Sequence, residues 1–271
     1  MHAQTALKNV SLKLLQLTVA VVIPALNERQ IIAQVVRELL ALRQGGAKLV
    51  EHIFVCDNGS TDNTASEAAQ AGATVVNAKL RGYGSACLAG LEAVAQLRPQ
   101  PDIVLFADGD GSVLASDVYS LIAQIEQGND LVIGVRKLVL QQRGALTPPQ
   151  QAGNLVASVL IFALWRKWVS DLGPLRAVRT TALNRLNMAD KTFGWTVEMQ
   201  IKAMQAHMRV AEVPVSTKCR VGKSKISGTV SGVIGAARGI IGKIFALKIA
   251  EWKAPPHVTA VRIGLDASTP K

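Results

Sequence analysis

Asp108 and Asp110 straddle a glycine directly after the apolar run 102–107. Two hard oxygen ligands at that spacing can hold Mg2+ or Mn2+ while phosphate oxygens complete the shell. Such an ion neutralises charge developing on a departing diphosphate. An ordinary Asp-Gly turn into a helix N-terminus has the same residues and needs no metal. Asp57 follows a second strand-like run, 51–56, ahead of the cap-rich segment 58–64. Ser, Thr, Asp and Asn there suit a helix cap. Capping leaves Asp57 over, and its carboxylate can accept hydrogen bonds from a nucleobase imide or a ribose. Gly82-Tyr83-Gly84 opens a helix, where free N–H groups favour an anion. The segment falls short of GxGxxG, which argues against a dehydrogenase. Arg220, Lys223 and Lys225 lie in a glycine- and serine-rich stretch that suits a phosphate or, equally, a solvated basic loop.

The elements that must position these residues follow from periodicity. Short β-branched or apolar runs at 18–24, 51–56, 73–76, 102–107 and 130–135 read as strands. Helical stripes at 28–42, 62–71, 84–97 and 116–127 separate them. That alternation predicts an α/β fold with right-handed crossovers and a mainly parallel central sheet. Ligands of such sheets bind beyond the carboxyl ends of the strands. The segments 24–28, 57–64, 79–84, 108–112 and 134–137 follow the strands, and each carries polar or glycine residues. They should share one rim.

Past residue 135 the pattern loosens. Residues 136–151, with Pro148-Pro149, predict a long loop, and 153–169 a helix. A strand over 172–178, a helix over 196–207, a strand over 209–215, a basic loop over 216–229 and a helix over 230–252 complete the reading. The expected organisation is a lead-in at 1–17, a main domain at 18–229, a C-terminal amphipathic helix at 230–253 and a loose tail at 254–271.

Composition narrows the classes. The chain has 271 residues, 49% apolar and 18% charged, enough for a sizeable core and unlike a disordered chain. Aromatics make up 4%, too few for a nucleic-acid stacking surface. Thirty Lys and Arg against nineteen Asp and Glu give a charge of +11, which favours phosphates, nucleic acid or an anionic lipid surface. Three scattered cysteines form neither a zinc spacing nor a disulfide framework, and suggest a reducing compartment. No stretch reads as a signal peptide or a spanning helix. The expectation is a cytoplasmic protein, soluble or held on the cytoplasmic face of a membrane. Over 230–252, Val233, Ile234, Ile240, Ile244 and Phe245 recur at helical spacing with Arg238, Lys243, Lys248 and Lys253. That pattern suits a helix lying on anionic lipid, or one packed on its own domain.

Taken in order, the motifs resemble a family 2 glycosyltransferase of GT-A fold, and within it the polyprenyl- or dolichyl-phosphate sugar synthases. The matching pieces are Val22-Ile-Pro-Ala-Leu-Asn-Glu28, Asp57-Asn-Gly-Ser-Thr-Asp-Asn-Thr64, Arg81-Gly-Tyr-Gly-Ser85 and Asp108-Gly-Asp110. Ser170-Asp171-Leu-Gly-Pro-Leu-Arg176, Phe193-Gly-Trp-Thr-Val-Glu198 and the segment 220–229 continue the likeness. It implies that Pro24, Ala25 and Glu28 line a nucleotide pocket and that Asp57 holds the base. It places Arg81 and Gly82 near the donor, and Asp108 and Asp110 on the metal and diphosphate. It sets Asp171 and Glu198 toward the transferred sugar or acceptor as catalytic candidates. Arg136, Arg220, Lys223 and Lys225 would face an acceptor phosphate. The chain departs from the group at Ser112, where Gln is common, and at Pro174-Leu175, where an aromatic is common.

The resemblance implies inverting transfer of a hexose from a UDP- or GDP-sugar. A polyprenyl phosphate acceptor is already ionised near neutral pH and needs no strong base. A neutral hydroxyl acceptor needs a carboxylate, Asp171 or Glu198, to take its proton. Two rival classes are weaker. A sugar-1-phosphate nucleotidyltransferase carries a glycine-rich loop after its first strand, where this chain has Ala25-Leu-Asn-Glu28. A nucleic-acid-binding protein rests on the net charge alone and lacks any binding motif.

Overall fold

The computed structural model describes residues 17–142, 144–222 and 230–253. The tail, all but the last residue of the lead-in, and both Lys223 and Lys225 lie outside them.

Strand β1 (Val19–Ala25) is almost wholly buried because it is covered on both faces. Val19, Val21 and Ile23 face one apolar layer, while Ala20 and Val22 face the other. The same alternation runs through β4 (Val50–Asp57) and β6 (Ile103–Phe106). These three strands pair in parallel, with β4 and β6 on either side of β1. Strand β5 (Thr74–Asn77) extends the sheet beyond β4.

One layer of helices covers the first face: α1 (Ile32–Leu40), α2 (Thr64–Gln70) and α4 (Val118–Glu126). The opposite face carries α3 (Tyr83–Ala95), α6 (Thr180–Leu186) and α7 (Trp195–Gln205). There Trp195 meets Phe106 edge to face at 5.9 Å. A glycine hairpin, β2 (Arg43–Gln44) with β3 (Ala47–Lys48), stands apart from the main sheet.

The sheet order is β5-β4-β1-β6-β8-β7-β9. Here β7 is Leu131–Gln141, β8 is Arg176–Arg179 and β9 is Val210–Thr217. Strand β8 is antiparallel to both neighbours, and β7 and β9 run parallel to each other. The sheet is therefore mainly parallel, as expected, with one reversed strand between β6 and β7.

Two boundaries differ from expectation. Residues 136–141 continue β7, because β9 pairs with it as far as Gln141. The expected 136–151 loop shrinks accordingly, since helix α5 (Pro148–Trp165) starts at the first of the two prolines. Thr147 and Gln150 form a capping box there, and proline suits the first helical turn, where its missing N–H would have no partner. The strand expected at 172–178 begins only at Arg176, because 171–175 runs irregularly beside β7.

Helix α8 (Val230–Lys253) lies on α5 and α7 in a third apolar cluster that contains Ile161, Val197, Ile201 and Ile244. Lys243 pairs with Asp190 at 2.9 Å, and Trp165 donates to Glu251 at 2.6 Å. The outer side of α5 and α8 keeps Phe162, Phe245, Ile249 and Trp252 exposed, the last at 73%. Among the described residues no helix is long and apolar enough to cross a membrane.

Candidate active site

The carboxyl ends of β4, β1 and β6 share one edge. Asn58 donates its backbone N–H to Ala25 at 2.9 Å, and Ala107 to Val22 at 3.2 Å. Two interstrand spacings separate β4 from β6, roughly 10 Å. Asp57, Glu28, Asp108 and Asp110 thus stand along a span that a nucleotide diphosphate would bridge.

Asp110 is 6% exposed, and its carboxylate accepts from the Ser112 N–H at 2.9 Å. Gly111 makes this turn with φ +74°, and a Cβ there would lie 2.7 Å from Ile31 Cγ1. The Tyr83 hydroxyl donates to Asp108 at 3.3 Å. Arg220 Nη2 lies 3.1 Å from Asp110 Oδ2 and 3.4 Å from Glu28 Oε1. Among the described residues no group of three or more Asp, Glu, His or Cys side chains gathers to hold a metal. Asp108 and Asp110 would therefore supply only part of a divalent ion's shell, with water or diphosphate oxygens completing it, as hard cations commonly allow. The acidic set fits a cation, since Arg220 already rests against two of its members.

Burial, reinforced by the neighbouring Asp110 charge, pushes the Asp108 carboxyl up to about 7 against the opposing pull of Arg136 and Arg220. Without metal, the folded protein keeps a proton there that the unfolded chain, near 3.8, gives up. The folded state binds more protons, so this group's contribution to stability is lost as pH rises from about 4 to about 7. A cation must displace that proton. Mn2+ should accordingly raise the melting temperature more at pH 8 than at pH 6, as read by thermal shift.

Asp57 accepts from the Ser60 hydroxyl in a very short contact and from the Ser60 N–H at 3.2 Å. Asn27, at φ +54°, accepts from Thr61 N–H at 2.7 Å. Glu28 N–H donates to Thr64 at 2.8 Å, so the loop after β1 is laced to the loop after β4. Arg81 donates to the Gly59 carbonyl at 3.2 Å. The Gly82 N–H goes to Asn58 Oδ1 at 2.8 Å. Gly84 and Ser85 donate to the carbonyls of Thr192 and Lys191 at 3.1 and 3.0 Å. The start of α3 is thus not the open anion cradle expected of it, because three of its N–H groups are already bonded within the protein. Its glycines serve close packing. A Cβ on Gly82, at φ +136°, would lie 2.1 Å from the Lys191 carbonyl. Gly82→Ala should cost about 2 kcal/mol in a urea unfolding experiment.

Asp171 takes both side-chain contacts of Arg136, Nε and Nη2, at 2.7 Å each, and the Arg136 backbone N–H at 3.0 Å. Burial alone would lower the Arg136 guanidinium, but the bonded Asp171 outweighs it and holds it above its ordinary value. Glu198 is 2% exposed. Its carboxylate accepts from the backbone N–H groups of Ala189 and Asp190 at 3.1 and 2.8 Å. It also pairs with Lys202 at 3.0 Å and Lys243 at 3.7 Å. Glu198, expected toward the sugar or acceptor, here ties α7 to α8 and to the 189–190 turn. Asp171 and Arg136 are likewise each other's partners before any ligand arrives.

Comparison with known proteins gives the family and the fold. Residues 20–186 match glycosyl transferase family 2. A Mycobacterium tuberculosis protein named as an uncharacterised glycosyltransferase is 38% identical over 218 residues, 80% of this chain and 93% of its own. The chain belongs to glycosyl transferase family 2. A dolichyl-phosphate hexose transferase from Haloferax volcanii is 30% identical over 216 residues, 79% of this transferase and 88% of the relative. Glucosyl-3-phosphoglycerate synthase from M. tuberculosis, solved with Mn2+, UDP and phosphoglyceric acid, superposes with a TM-score of 0.67. It covers 86% of this transferase and 78% of that chain at 23% identity, a likeness of fold. The mainly parallel sheet with flanking helices is thus the GT-A architecture.

Several residues of the transferase's rim were not singled out as site candidates from sequence. Tyr83 sits between the two glycines and reaches Asp108. Asn58 bridges the Leu80 carbonyl at 2.8 Å and the Gly82 N–H, coupling the 57–64 loop to the 79–84 loop. Arg176 is 1% exposed and bonds the carbonyls of Gly173 and Thr196. Its Nη2 is buried with no hydrogen-bond partner among the described residues. Burial lowers its guanidinium to about 10, so it stays charged at neutral pH. The available signal was an arginine at each end of the four-residue β8, Arg176 and Arg179.

Proposed function

We infer that this family 2 transferase moves a hexose from a UDP- or GDP-sugar to a polyprenyl phosphate, with inversion and with Mg2+ or Mn2+. The observation that carries the acceptor class is the state of the two candidate bases. Asp171 is held at both oxygens by Arg136, and Glu198 is locked inside the protein. A neutral hydroxyl acceptor would need one of them, whereas a phosphate arrives already ionised. The dolichyl-phosphate hexose transferase relative supports the same acceptor chemistry.

Pro24, Ala25, Glu28 and Asp57, with Ser60, would orient the nucleoside across the ends of β1 and β4. Arg81 and Gly82 would border the donor. Asp108 and Asp110 would hold the divalent ion, with Tyr83 steadying Asp108. When bound, that ion supplies charge neutralisation on the diphosphate leaving group. Arg220, Lys223 and Lys225 would bring the acceptor phosphate beside the donor, and Arg136 would act mainly by fixing Asp171.

The apolar, exposed side of α5 and α8, with Trp168 at 56% and Trp252 at 73% beside Arg166, Lys167 and Lys253, suits a peripheral contact with anionic lipid. It would bring the rim near a lipid-borne acceptor. The test is transfer of radiolabelled sugar from UDP- and GDP-donors to undecaprenyl phosphate and to soluble hydroxyl acceptors. Lys223→Ala should lose most activity toward the lipid phosphate, about a hundredfold. A strong loss confined to Asp171→Asn, or transfer only to soluble hydroxyls, would overturn the reading. Flotation with phosphatidylserine vesicles, with Trp252→Ser as the weakened variant, tests the membrane contact separately.

A further inference from the structure

We propose that Arg220 is a resident counter-ion of the acidic rim, which an incoming divalent cation displaces and hands over to phosphate. Its guanidinium spans Asp110 at 3.1 Å and Glu28 at 3.4 Å, joining the loops after β1 and β6. Both carboxylates are nearly buried, at 6% and 8% exposure, where an uncompensated charge is costly. Arg220 therefore supplies the positive charge that offsets both carboxylates.

The backbone that carries Arg220 is pinned independently of its side chain. Val221 donates to the Asp110 carbonyl at 3.1 Å and Lys218 to the Ser112 carbonyl at 2.9 Å. Val113 and Thr217 form an antiparallel bridge one step further. This strap follows the Asp108–Ser112 turn, so the guanidinium leaves by side-chain rotation while its Cα stays in place. Arg220 Nε is buried with no hydrogen-bond partner among the described residues. An arginine in its final bonding arrangement would fill that position. A diphosphate or phosphate oxygen within the arginine's reach is the acceptor that would complete it.

The consequence is a change of sign. Against metal alone, Arg220 is a competitor; against a nucleotide diphosphate with metal present, it is a ligand. This rests on the metal and diphosphate reading of Asp108 and Asp110. The experiment is calorimetric titration of Mn2+ alone, then of UDP or GDP at saturating Mn2+, into the full chain and its Arg220→Ala, Arg220→Lys and Lys218→Ala forms. Lys218 is exposed, equally charged and two residues away, so its variant measures the diffuse field. Arg220→Ala should bind Mn2+ alone about tenfold tighter, and the nucleotide about tenfold weaker, one charge-assisted contact in each case. Arg220→Lys should fall between, and Lys218→Ala should shift either constant less than twofold. Unchanged or weaker Mn2+ binding by Arg220→Ala overturns the proposal, as does an equal gain in Lys218→Ala. If no form takes up Mn2+ even with nucleotide, the metal reading itself falls, a result distinct from Mn2+ binding that ignores Arg220.

Discussion

Asp110→Asn should transfer sugar about a thousandfold more slowly than the parent protein while remaining folded. The substitution keeps the shape of the side chain and an oxygen for the Ser112 N–H, which now bonds it at 2.9 Å. What it removes is a formal negative charge from a nearly buried pair. Groups that stabilise charge developing at a reacting centre commonly contribute 10²–10³-fold each, and here the loss also weakens the hold on the cation that neutralises the diphosphate. The effect should fall on single-turnover rate at saturating donor, and excess Mn2+ should recover only part of it. Asp108→Asn should behave alike, with a second signature. Burial and the Asp110 charge keep Asp108 protonated below about 7, so the asparagine form should lose the pH dependence of Mn2+-induced stabilisation. Retention of more than a tenth of the parent rate by both variants would remove this pair from the chemistry.

Glu198→Ala should unfold more readily by about 3 kcal/mol, in line with removing one partner of a buried ionic network. Two backbone N–H groups, on Ala189 and Asp190, lose their acceptor, and Lys202 and Lys243 lose a shared carboxylate. For a chain of this size that corresponds to a melting temperature lower by about 6–12 °C. Below the transition the remaining folded enzyme should turn over within a few-fold of the parent. Lys243 still holds Asp190 at 2.9 Å, so α8 should stay docked. A variant with parental melting temperature and abolished transfer would restore Glu198 to a catalytic role. Scanning calorimetry paired with a rate measured at 20 °C separates the two cases.

These two carboxylates show how far local sequence reaches. Asp108 was legible because an apolar strand, a glycine and a second aspartate are neighbours in the chain, and strand ends of a parallel sheet meet at one rim. Asp57 was legible for the same reason. Glu198 carried an equally suggestive motif, and helical spacing announces its pair with Lys202, but its other partners come from residues 189–190 and from Lys243, 45 positions away, which no periodicity announces. The extension of β7 was hidden likewise, since its partner β9 lies some seventy residues downstream.

From its own sequence the chain determined alternating strands and helices, the α/β class and the polar strand ends, because periods of 2 and 3.6 and glycine punctuation are local properties. Tertiary structure alone decided that β8 enters reversed between β6 and β7, that the glycines of α3 admit the Lys191 and Asp190 carbonyls, and that Arg220 meets Asp110 and Glu28. Each of those depends on which distant segments come together, and a backbone hydrogen bond or an ion pair between remote residues leaves no mark on either segment by itself.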